Sequence, residues 1–169
     1  VIDGKVLVGA TGMAGEFGHM TVVPDLEAIH CGCGKMGCLE TVSSATGIVR
    51  MAEDAVKRGD KTMLADLKNI TAKDVFDAAR AEDETALRII RRAAHYLAKS
   101  MAAVALVVNP NRFVIGGGVS RAGDLLLEPV REAFRQLAQE RAQAGVDIVA
   151  AALGNDAGMV GAAALCRMR

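Results

Sequence analysis

Three cysteines fall within eight positions, in Cys31-Gly32-Cys33-Gly34-Lys35-Met36-Gly37-Cys38. The segment has neither helical nor strand period and reads as one compact loop carrying three thiols. A tetrahedral zinc site takes three or four such donors at about 2.3 Å and is closed when it is structural. Gly32, Gly34 and Gly37 free the backbone to turn the sulfurs inward. The fourth ligand is His19 or His30. His30 adjoins Cys31 in sequence, so its side chain tends to point away. His19 lies across a turn containing Pro24 and can close a Cys3His set. The competing readings are three buried free thiols, or one disulfide with a spare. The opening residues Val1-Ile2-Asp3-Gly4 do not read as a signal peptide, so a cytoplasmic location is expected, where clustered cysteines are metal ligands before disulfides. Cys166 stands apart and is expected as a small core residue of the last helix.

The chain has 169 residues, a size that suits one domain or one lobe of a larger protein. At 51% hydrophobic it can build a real core. Lys+Arg and Asp+Glu are 20 each, so it lacks the basic excess that grips nucleic acid. Aromatics are only 3%, too few for base-stacking platforms. The most apolar run, Val104 to Val108, falls far short of a membrane span. Neither nucleic acid nor a membrane is therefore an expected partner.

Asp3-Gly4 between aliphatic residues predicts a hairpin over residues 1–8 with a type I′ turn. Met20 to Val23 reads as a strand ended by Pro24. A helix is expected from Thr41 to near Arg58, with Gly59 closing it. Thr71 and Asp74 form a capping-box pattern before a helix from Asp74 to Ala81. Apolar residues spaced three and four apart predict a long helix from Leu87 to Val108, ended by Asn109-Pro110, with His95 at its surface. Arg112 to Ile115 is a short strand running into Gly116-Gly117-Gly118. A helix around Pro129 to Gln143 follows, with Pro129 in its first turn. Val146 to Ala152 is a strand, and Gly154-Asn155-Asp156 leads into a last apolar helix. The order describes an α/β lobe.

Gly15-Glu16-Phe17-Gly18-His19-Met20, followed by the three-cysteine loop and Leu39-Glu40, resembles the signature of the ROK family of bacterial sugar kinases and related repressors. Asn109-Pro110, Val114 to Ser120 and Leu153 to Ala163 extend the resemblance over nearly the whole chain. The resemblance implies an actin-like, hexokinase-type (ribonuclease H-like) fold of two lobes around a cleft. Residues 1–169 are then the C-terminal lobe, with a zinc-binding loop inserted. It implies that His19, Cys31, Cys33 and Cys38 hold structural zinc, and that Glu16, His19 and Glu40 meet sugar hydroxyls. Carboxylates accept hydrogen bonds in fixed directions, and two of them can tell epimers apart. Gly116, Gly117, Gly118 and Asn155 fit a nucleotide site for ATP with Mg²⁺. The glycine run does not continue into Lys-Ser/Thr and is no Walker A loop; taken alone it reads as a plain strand-to-helix turn.

The same resemblance implies an N-terminal lobe with an Asp-x-Gly-x-Thr phosphate loop and a catalytic Asp acting as general base on the sugar 6-hydroxyl. That lobe is expected to be absent from this chain, leaving no catalytic residue in it and no activity of its own. An exposed cleft face and an unpaired sheet edge would make such a lobe self-associate. The leading expectation is ATP-dependent phosphorylation of a hexose, glucose first, by a homodimer. The alternatives are the sugar-sensing lobe of a ROK repressor and a zinc-stabilised binding module without catalysis.

Overall fold

The computed structural model describes residues 1–167. Its longest element is the helix the apolar spacing predicts, beginning three residues earlier than expected: α4 runs Glu84–Val108. Asp83 caps it by accepting from the Ala86 N–H at 2.9 Å. Asn109, in the left-handed region at φ 40°, closes it before Pro110. Ala86, Ile90, Ala94, Ala98 and Met101 on α4 are buried in the main core.

Around α4 pack α1 (Glu40–Ser43), α2 (Ala45–Lys57), α3 (Ala72–Arg80) and α5 (Asp124–Leu137), with the short helix Glu140–Gln143 also against it. The helix expected as one piece from Thr41 is two. Ser44 is extended (ψ 167°); its hydroxyl donates to the Glu40 carbonyl at 2.6 Å and accepts from the Gly47 N–H at 3.0 Å. A serine offering its own oxygen in place of the helical ladder ends one helix and caps the next. Gly47 sits so close to this break that a Cβ there would lie 2.7 Å from the Thr41 carbonyl oxygen. At the other end of α2, Asp60 donates to the Ala55 carbonyl and Gly59 to Val56, a Schellman closure at the expected glycine. The Thr71–Asp74 capping box forms, with α3 starting two residues ahead of the expected Asp74.

Two parallel strands complete the core, β1 (Arg112–Ile115) and β2 (Asp147–Ala150), with Phe113 opposite Ile148. Between them run α5 and a short α6 (Glu140–Gln143), where one helix from Pro129 was expected. The chain turns extended at Ala138 and Gln139. Pro129 lies in the second turn of α5, not its first, and the helix continues through it.

The N-terminal expectations hold only locally. Asp3 (φ 49°) and Gly4 (φ 76°) make the type I′ turn and Ile2 bridges Lys5, but Val6, Leu7 and Val8 are exposed and belong to no strand. Of the strand expected at Met20–Val23, Thr21 alone pairs, with Cys38. The last helix, α7 (Ala157–Arg167), has Met159 and Val160 exposed. Cys166 on it is exposed too, against the expectation of a core thiol, because α7 packs chiefly on its own leading turn. No helix among the described residues is long and apolar enough to cross a membrane.

Candidate functional site

The three-cysteine loop is stitched to the segment before it. Val22 and Val23 donate to the Gly37 carbonyl, Leu39 donates to Met20, and Cys31 to Lys35. Gly37 is obligatory: its φ is +74° and a Cβ would meet the Val23 carbonyl oxygen at 2.8 Å. This stitching folds three sulfurs and one imidazole together. The ligand atoms of His19, Cys31, Cys33 and Cys38 all lie within 4.8 Å of one another. Cys33 Sγ is 3.7 Å from Cys38 Sγ, and Cys31 Sγ is 3.6 Å from His19 Nδ1. Donors about 2.3 Å from a tetrahedral ion sit about 3.8 Å apart, and these two separations match that spacing. His30 is exposed, pairs with Met36 through the backbone and lies outside the four-donor group, which leaves His19 as the fourth donor.

The carboxylates close in from two sides. Glu40 opens α1 directly after the loop, and its Oε1 accepts from the Cys31 thiol at 2.8 Å and lies 3.9 Å from His19 Nδ1. Glu16 Oε2 is 3.9 Å from His19 Nε2. The imidazole thus turns one nitrogen to the thiols and the other to Glu16, which a metal-bound histidine does when a carboxylate orients it. Both carboxylates keep a solvent face, with side chains 56% and 42% exposed for Glu16 and Glu40. A hollow of about 340 Å³ beside Glu40 is lined by His30, Thr41, Ser44 and Arg50.

The thiols are electrostatically unequal. The Cys33 N–H lowers Cys31, but the Glu40 carboxylate, burial and the neighbouring thiols outweigh it and push Cys31 up to about 12. Burial raises Cys38. The Lys35 N–H and the Cys31 thiol lower exposed Cys33. Three thiolates crowded beside a carboxylate repel one another, and a divalent ion at their centre removes that repulsion.

A second cluster forms at the carboxyl ends of the strands. Gly116–Gly118 leaves β1, and Ala151–Asp156 leaves β2 beside it, with the Ala151 N–H donating to Ile115 at 2.8 Å. Gly116, Gly117 and Gly118 are exposed, and open space surrounds the last two. Crevices outside the carboxyl ends of parallel strands are where α/β sheets bind ligands. Asn155 lies in the turn after β2, and its side chain is outside the described ones. Sequence reasoning missed the far wall: Lys73, Phe76, Asp77 and Arg80 of α3 face Gly118 and Ala122 across a hollow of about 360 Å³. Only the fold brings α3 to the glycine loop, so no sequence spacing signals it. A larger hollow, about 510 Å³, lies between α2, α4 and the segment carrying Glu27 and Ile29. Its arginines are engaged by Asp60, Glu27 and the Thr41 carbonyl.

The ROK family model matches residues 1–169, the whole chain. The chain belongs to the ROK family. A glucokinase of Halalkalibacterium halodurans is 48% identical over 95% of this ROK chain, which covers 50% of that relative. The structure of a ROK family glucokinase from Streptomyces griseus in complex with glucose and AMPPNP aligns over 98% of the chain and 55% of its own, at TM-score 0.83 and 36% identity. A ROK family transcriptional regulator, a homolog of the E. coli MLC protein, aligns over 89% of the chain and 37% of its own, at TM-score 0.79 and 31% identity. The ROK chain therefore spans about half the length of the curated relatives it matches, and its α/β fold is that of ROK sugar kinases.

Proposed function

We propose that the full-length protein transfers the terminal phosphoryl group of ATP, bound with Mg²⁺, to a hexose, glucose first, and that residues 1–169 supply the sugar and adenosine contacts. The observation that carries this reading is the convergence of Glu16 and Glu40 on His19 at the rim of the His/Cys cluster, 3.9 Å on either side. Glu16 and Glu40 present acceptors to vicinal hydroxyls, the Nε2–H of a zinc-bound His19 is a donor beside them, and together they fix the ring orientation of the sugar. Zinc held by His19, Cys31, Cys33 and Cys38 would act structurally, locking the imidazole and the loop. The exposed backbone of Gly116–Gly118, with the α3 wall, accepts adenosine; Asn155 stands beside it in the adjoining turn. The general base that takes the hydroxyl proton belongs, on the resemblance, to the other lobe of the protein.

The similarity to a glucokinase holding glucose and AMPPNP supports this reading, and so does the open second cluster, which a sensor lobe does not need. The similarity to a transcriptional regulator favours a second reading, a repressor whose sugar sensor is the same cluster. A coupled ADP-release assay on the full-length protein separates them. Hexose-dependent turnover establishes the kinase; hexose binding with no turnover, together with retention of operator DNA, establishes the repressor.

A further inference from the structure

One stripe of α4 grips both flanks of the candidate sugar centre. Arg92, Tyr96 and Lys99 lie four and three residues apart, on one helix face. Arg92 is ion-paired to Glu27, and the Tyr96 hydroxyl donates to the same Glu27 oxygen at 3.2 Å. Lys99 Nζ donates to the Val22 carbonyl at 2.9 Å. The two cations lie over the Tyr96 ring, 5.4 and 5.9 Å from its centre. On the adjoining turn the Ala93 carbonyl accepts from Ser43 Oγ at 2.8 Å, which ties down the helix that begins with Glu40. Tyr96 is buried with Val22, Val23, Leu39 and Val42 in a small second core, separate from the main one.

These contacts have a consistent layout. Val22 and Glu27 belong to the segment that follows His19 and leads into Cys31. Ser43 belongs to the segment that follows Glu40. The two flanks are otherwise joined by the irregular loop, its backbone hydrogen bonds and the apolar contacts within the small core of Val22, Val23, Leu39 and Val42. We infer that Tyr96, with Glu27, Arg92 and Lys99, is a positioning group that sets the separation of His19 and Glu40 and thereby the fit of the hexose. None of the four touches the proposed sugar, so the inference rests on the sugar reading above and adds residues to it.

The test uses the full-length protein and glucose. Tyr96→Phe with Lys99→Met removes two anchoring hydrogen bonds and keeps the apolar bulk. The expected result is a KM for glucose raised about tenfold, the size of one lost hydrogen bond to a charged group, with kcat within about twofold of wild type and zinc content unchanged. Glu27→Gln, which still accepts from Tyr96, is expected to stay near the wild-type KM while Glu27→Ala does not. An unchanged KM in the double variant overturns the inference. So does an apparent kcat that falls in proportion to lost folded protein while KM stays at the wild-type value, since that is a merely structural role. Wild-type protein that binds no glucose removes the proposed function itself, whereas wild-type binding with indifferent variants removes only the positioning role.

Discussion

Glu40 accepts from the Cys31 thiol in the structure, and in the proposed function, where zinc displaces that proton, it accepts from a sugar hydroxyl instead. Replacing it with Gln keeps the shape and loses the charge that makes such hydrogen bonds strong. Titration calorimetry of full-length Glu40→Gln with glucose is expected to show affinity reduced beyond detection; wild-type affinity would remove Glu40 from the sugar site. Cys33 is the exposed thiol and the one most ready to ionise. Cys33→Ser is expected to lose the bound metal and lower Tm, read by metal analysis and by thermal melts with and without chelator. The metal must also displace protons from Cys31 and Cys38, whose thiols are held high. Zinc affinity is therefore expected to rise with pH through the neutral range, by about tenfold per pH unit for each proton displaced. Competition with a chromophoric chelator at pH 6 and pH 8 measures it, and a pH-independent affinity would contradict it.

At the scale of elements, α4 is the strut against which α1, α2, α3, α5 and α6 pack, and Asp83 secures its first turn. Its carboxylate caps the helix at Ala86 and also accepts from Thr62 and the Met63 N–H, which holds the connection between α2 and α3. Burial acts to raise its pKa, but these hydrogen bonds together outweigh it and hold it below the ordinary carboxylate value. Its contribution to stability is thus complete above that ordinary value and is lost as pH falls through the lowered one. Asp83→Ala is expected to cost about 1–2 kcal/mol at neutral pH, the range of an N-cap deletion, and to cost less near pH 3. Urea unfolding at both pH values checks the size and the sign.

The whole molecule shows more apolar surface than a finished domain. Val6, Val8, Leu106, Val107, Val114 and Met159 are all at least 58% exposed. Where exposed apolar side chains gather into patches they are covered in working proteins or cause association. Residues 1–169 expressed alone are expected to elute above monomer size and to turn over no glucose, while the full-length protein does. A monomeric, active 169-residue product would refute the two-lobe reading.

Local chemistry was legible in the residues themselves. The Cys31–Cys38 spacing announced the donors, Thr71 and Asp74 their capping box, Gly59 its closure and the apolar spacing the helix through Met101, because each is a contact between near neighbours. Partners distant in sequence were not legible. His19 over His30 was favoured by the sequence, and the stitching of the loop by Val22, Val23 and Leu39 is what carries its ring to the thiols; the break at Ser44 depended on a hydroxyl outcompeting the helical ladder. The exposure of Cys166 depended on what α7 does not pack against. The α3 wall facing Gly118 and the grip of α4 on Val22, Glu27 and Ser43 join segments up to 77 residues apart. Composition and period specify which surfaces are buried and which groups can react; only the closed tertiary structure selects which of them meet, because that choice is made by packing among distant segments that no local preference encodes.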